Sequence, residues 1–304
     1  MRKILGSYIN GNTFVIMYPD GTKERYIKDG EVPMPEFPES IDLKITNRCN
    51  MRCQMCAEQS TPRGEHANLN NPLLNSLQPY TELAIGGGNP LEHPGLHALL
   101  VRMKHQRVIC NLTVNVRHFL EYKYVLMGLA DQNLIHGLGV SVPNDIPHPV
   151  EFFKTIRKFP NAVIHTIAGY TPQYIFEGLK NNNLNLLILG YKTKGLGAEY
   201  YAAHYHIVDD MLHELAQSLP DLRNHFRGIA FDNLAVKQLC LSSMISKEEY
   251  DNFYMGDDGE YTMYVDLVTN KFGKSSTHSL SDINSYSISE LFGQLYEKEH
   301  RLWK

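Results

Sequence analysis

The chain has 304 residues, 43% of them apolar, with a net charge of −4 and a pI near 6.4. That length buries a core for one large domain with an appendage, and the acidic balance argues against a nucleic-acid substrate. No run approaches the ~20 apolar residues that span a bilayer, the N-terminus turns polar too soon for a signal peptide, and 5 cysteines without an even framework suit a reducing compartment, so a cytoplasmic protein with no membrane partner is expected.

Residues 1–38 read as a small N-terminal β unit followed by a linker. Ile4 to Ile9 runs into Asn10-Gly11, a two-residue hairpin signal before Phe14 to Tyr18. Pro19-Asp20-Gly21 then turns the chain into Lys23 to Ile27. Residues 29–38 are rich in Pro, Glu and Gly and read as the linker.

From residue 39 to 225 a β-then-α pattern repeats. The strand candidates are Ile41–Thr46, Glu82–Gly86, Val108–Val116, Leu138–Val142, Ala162–Ala168 and Leu186–Gly190. The helix candidates are Pro72–Leu77, Pro94–His105, Phe119–Ala130, Pro149–Lys158, Pro172–Lys180 and Val208–Leu219. Pro94, Pro149 and Pro172 would stand in first turns, where proline is tolerated. Alternating units of this kind imply a parallel sheet with right-handed crossovers.

Residues 226–304 break the rhythm. Gly228–Asp232 reads as a strand, Ser246 with Glu249 as a capped helix start, Tyr261–Val268 as a strand and Ser289–Arg301 as a closing helix. The segment lacks the cysteines for a cluster and is expected to close the open side of the sheet without metal, as an α+β extension.

The chemistry concentrates at the first strand's end. Cys49, Cys53 and Cys56 stand in C-x3-C-x2-C spacing directly after that strand. Three thiolates on one loop suit three irons of a [4Fe–4S] cluster and leave one iron open. Zinc is the rival reading, with His66 or His93 as a fourth ligand, although structural zinc usually takes paired cysteines. Arg48 precedes the triplet and Arg52 lies between Cys49 and Cys53, and both would oppose a cluster's negative charge. Cys110 faces away from a polar strand face made by Asn111, Thr113 and Asn115, which reads as interior lining.

A second strand runs into Gly86-Gly87-Gly88-Asn89-Pro90. Triplet and glycine motif, each at a strand's C-terminal end, resemble the radical S-adenosylmethionine (SAM) superfamily. The resemblance implies a partial (β/α)6 TIM-type barrel, one [4Fe–4S] cluster held by the three cysteines, and SAM as cosubstrate. It also implies reductive cleavage of SAM to a 5′-deoxyadenosyl radical that abstracts a hydrogen atom from substrate, with flavodoxin or ferredoxin as electron donor. Gly86, Gly87, Gly88, Asn89 and Pro90 would then bind the methionyl part of SAM. Asn89 stands where the family has Glu, an amide in place of a carboxylate. Asn115 matches the family's third strand end, and Ser141 the position that contacts the SAM ribose. His165 on the fifth strand and Lys192 on the rim loop Gly190–Gly197 are further candidates. Residues 226–285 resemble the SPASM extension of peptide-modifying members, with Ser275 and Ser276 where a cluster cysteine would fall. A peptide or protein substrate is therefore expected. The alternatives are a nucleotide or small-metabolite substrate, and a non-catalytic iron–sulfur or zinc-binding module.

Overall fold

A computed structural model of the protein describes residues 3–300, with side chains through residue 295. Strands β1 (Gly6–Asn10), β2 (Thr13–Met17) and β3 (Lys23–Tyr26) form an antiparallel sheet in that order. Asn10 pairs with Thr13, so the two turn residues are Gly11 and Asn12, one step later than the sequence signal suggested. Gly11 has φ +60°, and a Cβ there would sit 1.7 Å from the Met34 carbonyl. Asn10 is buried and binds Phe37 O and the Glu36 and Phe37 amides, which straps the linker to the hairpin.

The main body alternates strands and helices. In chain order these are β4 (Ser40–Thr46), β5 (Glu82–Gly87), α1 (Leu96–His105), β6 (Ile109–Asn115), α2 (Val116–Glu121), α3 (Lys123–Asp131) and β7 (Gly137–Ser141). Then come α4 (Pro149–Ile156), β8 (Ala162–Ile167), α5 (Gln173–Leu179), β9 (Asn185–Leu189) and α6 (Leu196–Leu222), which kinks at His204. The remaining elements are β10 (Gly228–Phe231), α7 (Asn233–Gln238), α8 (Lys247–Phe253), β11 (Thr262–Asp266), β12 (Lys271–Gly273), β13 (Ser281–Asp282) and α9 (Ile288–His300). Arg301, the expected end of the closing helix, lies outside the described residues.

These strands form one mixed ten-stranded sheet in the order β10-β9-β8-β7-β6-β5-β4-β11-β12-β13. The six expected parallel strands are its centre, and the sheet is not closed; where a partial (β/α)6 barrel is expected, the structure shows an open, curled sheet. The curl follows from contacts above the strand ends. Neighbouring strands lie ~4.8 Å apart, so a flat sheet would put β4 and β9 roughly 24 Å apart. Yet Leu196 N, just after β9, donates to Cys56 O, in the loop after β4, at 3.1 Å. The C-terminal segment adds β10 to one side of the parallel run and β11 to the other. Those strands do not pair with each other; Asn233 Nδ2 donates to Asp258 Oδ1 at 2.9 Å between them.

One apolar core lies between the sheet and its helices. It joins Leu43, Ile85, Leu112, Val140, Ile164 and Ile188 of the strands to Leu100, Phe119, Phe152 and Phe176 of the helices, and it takes in Val265, Leu291 and Phe292 from the C-terminal segment. The alternate residues face the other way, into a hollow. On β6 that alternation is complete: Cys110, Leu112 and Val114 are buried, and Asn111, Thr113 and Asn115 are half-buried.

The N-terminal unit seals the lower end of this hollow, where the strands begin. Arg25 forms two bonds to the buried Glu39 carboxylate (3.1 and 2.7 Å), and Lys23 pairs with Glu82 at 2.8 Å. His136 and Asn161, just before β7 and β8, both hold the Pro19 carbonyl.

Several helix expectations are corrected locally. Pro72–Leu77 is a 3-10 turn, Pro72–Ser76, capped by Asn71 and too short to continue. Phe119–Ala130 is broken at Tyr122 into α2 and α3. Pro94 lies before α1, whose cap is Gly95, and Pro172 is itself the cap of α5; only Pro149 takes a first-turn place. Val208–Leu219 is the second part of the longer α6.

Candidate functional site

The loop after β4 carries Cys49, Cys53 and Cys56, all free thiols and half-buried. Its base is held by backbone bonds: Cys49 N to Thr61 O (2.9 Å), Thr61 N to Asn47 O (3.0 Å) and Asn47 N to Glu65 O (2.8 Å). Asn50 Oδ1 meets the buried His118 ring at 2.7 Å, and Arg48 donates to Pro62 O at 3.1 Å. Arg52 takes a left-handed backbone, φ +51°. Burial pushes the Cys49 thiol up, and the Cys56 charge adds to it. Burial pushes Cys53 up to about 11, with Cys56 and Cys49 adding to the rise. Cys56 acts on both Cys49 and Cys53, and Cys49 on Cys53, so the three thiols share a small volume. Among the described residues, however, no three His, Cys, Asp or Glu side chains converge on a single ion.

The glycine loop after β5 lies against this cysteine loop. Gly88 N donates to Thr46 O and Asn89 N to Arg48 O, both at 2.7 Å. Gly87 has φ +109°, and a Cβ there would lie 2.4 Å from Thr46 O. A Cβ on Gly88 would lie 2.2 Å from Arg48 O. The glycines are therefore required for the two loops to touch. Gly86 differs: the nearest atom to a Cβ there is Thr113 Cβ at 4.0 Å, so its face of the strand is open.

Asn89 is 1% exposed and caps the short 3-10 turn Pro90–Glu92. Its Oδ1 accepts from Leu91 N and its Nδ2 donates to Glu92 Oε1, both at 3.2 Å. The Asn89 side chain is thus occupied, and the loop's carboxylate is Glu92. That charge acts on Cys49, His66 and His118. Asn115 is likewise a cap, accepting from Arg117 N at 2.9 Å at the start of α2.

Lys192 is fastened rather than free: its ammonium donates to Ser276 Oγ at 2.8 Å, and Lys194 donates to Ser276 O at 2.9 Å. Ser276 is buried and holds the rim loop. The other end of that loop touches the cysteine loop, because a Cβ on Gly195 would lie 2.5 Å from Ala57 O. Beneath the loops, Lys44 is buried between Glu58 (2.6 Å) and Asp266 (3.1 Å).

Ser141 and His165 are register partners on β7 and β8, both half-buried and facing the hollow. Burial lowers the His165 imidazole to about 4, so the ring is neutral. His93 binds Ala67 O through Nε2 (2.9 Å) and accepts from Gly95 N at Nδ1 (3.0 Å). Both ring nitrogens are used, which removes it as a zinc ligand. His66 keeps one nitrogen open; its Nδ1 meets Thr46 Oγ1 at 2.8 Å. Cys110 packs in the core, pushed up to about 12 by burial, as a small hydrophobe does.

Asp42, Glu58 and Glu92 were not among the expected site residues. Asp42 had a legible signal, since with Lys44 it makes a charged face alternating with Ile41, Leu43 and Ile45. Two surface clefts, of 660 and 470 Å3, lie between α3 and α4 and beside residues 68–72, and neither is lined by any expected site residue. The inner face of the sheet under the two loops, where Ser141 and His165 stand, is the candidate site.

No protein-family model matches the chain, and no curated protein matches its sequence. Its fold is similar to solved structures of Streptococcus suis SuiB. Against SuiB bound to S-adenosylmethionine the TM-score is 0.53 at 13% identity, covering 87% of this chain and 68% of that one. Against SuiB bound to the precursor peptide SuiA the TM-score is 0.51 at 13% identity, covering 85% of this chain and 65% of that one. The likeness is one of fold, and the chain spans about two thirds of SuiB's length. No helix among the described residues is long and apolar enough to cross a membrane.

Proposed function

We propose that the protein is a radical SAM enzyme that modifies a peptide or protein substrate. The observation that carries this reading is the direct packing of the C-x3-C-x2-C loop on the Gly86–Pro90 loop, Asn89 N to Arg48 O at 2.7 Å, above the strand ends of a parallel sheet. Active sites of βα sheets form at those ends. The fold likeness to a protein solved with SAM and with a precursor peptide supports the cosubstrate and the substrate class.

The donor set fits a [4Fe–4S] cluster better than a lone metal. A single zinc needs its ligands within ~2.3 Å of one point, which no three His, Cys, Asp or Glu side chains among the described residues provide. A cluster binds each thiolate to a separate iron. Cys49, Cys53 and Cys56 would hold it, and it would supply the electron that cleaves SAM. The chain's own residues then position and shield. Gly87 and Gly88 keep the two loops in contact. Gly86 leaves open backbone facing the hollow, beside which SAM would bind. Lys192 and Lys194, tied to Ser276, hold the rim loop over the cysteine loop and limit water entry. Ser141 and His165 face the space where SAM and substrate meet. An electron carrier such as flavodoxin or ferredoxin would reach the exposed edge of the cysteine loop.

The reading is tested by anaerobic reconstitution with iron and sulfide, followed by assay of SAM cleavage under reduction. Formation of 5′-deoxyadenosine that vanishes when Cys53 is replaced by Ala is expected. Stoichiometric zinc without sulfide refutes it.

A further inference from the structure

The cleft of 660 Å3 between α3 and α4 has a lining that the proposed function leaves unused. Lys123, Lys154 and Lys158 line it against one acid, Glu151. Three lysines and one glutamate leave its walls at +2 with His148 neutral, on a chain whose net charge is −4. Glu151 is taken by Lys123, whose ammonium also lies 5.2 Å from the centre of the Tyr124 ring. Lys154 and Lys158 are exposed, and their side chains have no hydrogen bond or ion pair among the described residues. Two large apolar side chains stand in the same lining: Tyr124 is 75% exposed and Val150 85% exposed. The helix dipole accounts for lysines at the end of α4, but it gives no reason for apolar groups held out in solvent beside them. Exposed apolar anchors rimmed by charge of one sign are the make-up of a protein-docking surface.

The cleft adjoins the cysteine loop. Asn50 follows Cys49, is exposed, and meets the His118 ring of α2 at 2.7 Å. Lys123 stands five residues after His118, roughly 8 Å further on at the rise of a helix. The chain enters α4 from the C-terminal end of β7, the side of the sheet on which the cysteine loop stands. Arg117 at the start of α2 pairs with Asp145 in the loop before α4, which ties the two walls together at that end.

We propose that this cleft docks an acidic electron-carrier protein, the reductant of the cluster held by the neighbouring loop. Carboxylates of the carrier meet the uncommitted Lys154 and Lys158, and its apolar side chains cover Tyr124 and Val150. The reduced carrier gives up one electron and the cluster takes it up; no proton or group is transferred. Complementary charge across such a surface speeds encounter and sets orientation more than it adds affinity, which suits a partner that must leave after each electron. A nucleic acid is the disfavoured occupant, because it calls for a longer basic surface and the cleft holds an acid of its own. The inference rests on the proposed function in giving the partner its electron-carrying role; the docking of an acidic protein does not depend on it.

The test has a binding arm that needs neither iron nor SAM, so its failure is separable from failure of the enzyme reading. Binding of an oxidised flavodoxin of net negative charge to the full chain is measured by titration calorimetry at low salt, with a DNA duplex as a second polyanion. The expected result is binding of the flavodoxin that weakens as salt is raised. The double charge reversal Lys154→Glu with Lys158→Glu should weaken it by about tenfold or more, as like charges then face each other. Val150→Asp should weaken it too, and Lys28→Glu, an exposed change in the N-terminal linker, should leave it intact. In reconstituted protein the double reversal should slow SAM cleavage driven by reduced flavodoxin and leave cleavage driven by dithionite unchanged. No binding, binding indifferent to the double reversal, equal loss in Lys28→Glu, or tighter binding of the DNA duplex at the same lysines overturns the proposal, as does equal loss of dithionite-driven cleavage.

Discussion

The Lys44 ammonium lies 2.6 Å from the Glu58 carboxylate, which ties the cysteine loop to the strand beneath it. Glu58 stands two residues past Cys56, and the same ammonium reaches Asp266 of β11 at 3.1 Å. Burial works against the Lys44 charge, but Glu58 and Asp266 outweigh it and hold the pKa above its usual value. Removing one partner from a buried ionic group costs about 3–5 kcal/mol, because the others are left uncompensated. Lys44→Met should destabilise by that order in denaturant titration, and adding Glu58→Gln should recover part of the loss. Unchanged stability in the single variant would show that the carboxylates find water instead.

Gly87 is the second fixed point. A side chain there must accept φ +109° and a Cβ 2.4 Å from the Thr46 carbonyl. Gly87→Ala should cost about 1–3 kcal/mol from backbone strain, read as a lowered unfolding midpoint. On the proposed function it should also weaken SAM binding while the iron–sulfur absorbance of reconstituted protein persists. Undiminished SAM affinity would mean that the loop is only a turn.

His165 sets a pH dependence. Its pKa falls from 6.5 to about 4 on folding, through burial. The unfolded chain therefore takes up a proton below pH 6.5 that the folded protein refuses. The contribution to stability is present above that pH and is lost as pH falls toward 4, with a slope of at most ~1.4 kcal/mol per pH unit. Denaturant midpoints between pH 7 and pH 5 should fall less steeply in His165→Gln than in the parent. Identical slopes would place the imidazole in contact with water.

Much of this architecture is legible in local patterning. The six central parallel strands announce themselves as apolar runs between helical segments, and the polar face of β6 reads directly from the alternation of Asn111, Thr113 and Asn115. Ser246 and Glu249 cap α8 as their spacing suggests, with Glu249 N donating to Ser246 Oγ at 3.1 Å. The caps at Asn89 and Asn115 are equally legible, since each Asn precedes a helical start. What could not be read was pairing at a distance. β11 pairs with β4 across more than two hundred residues, Thr262 opposite Ser40, and nothing local to either strand specifies it. The need for Gly137 and Gly139 is hidden for the same reason, because Asn111 and His165, whose side chains lie over them, come from neighbouring strands.

The C-terminal segment is expected to be indispensable to folding. Met263 and Val265 of β11 and Leu291 and Phe292 of α9 are almost wholly buried in the shared core. A chain ending at residue 225 would uncover the paired edges of β4 and β9 along with that apolar surface. It should lose cooperative thermal unfolding and aggregate. A truncated chain that stays monomeric and unfolds cooperatively would show that the core closes without these residues.

The central claim is that the half-buried thiols of Cys49, Cys53 and Cys56 hold a cluster that cleaves SAM. Its most direct measurement is 5′-deoxyadenosine released per chain by anaerobically reconstituted protein under reduction, with iron and sulfide counted in the same sample. The account predicts about four iron and four sulfide per chain, the composition of the cluster type, and product formation that disappears on replacing any one of the three cysteines. A full complement of iron and sulfide with no SAM cleavage, or cleavage that survives loss of Cys53, would contradict it.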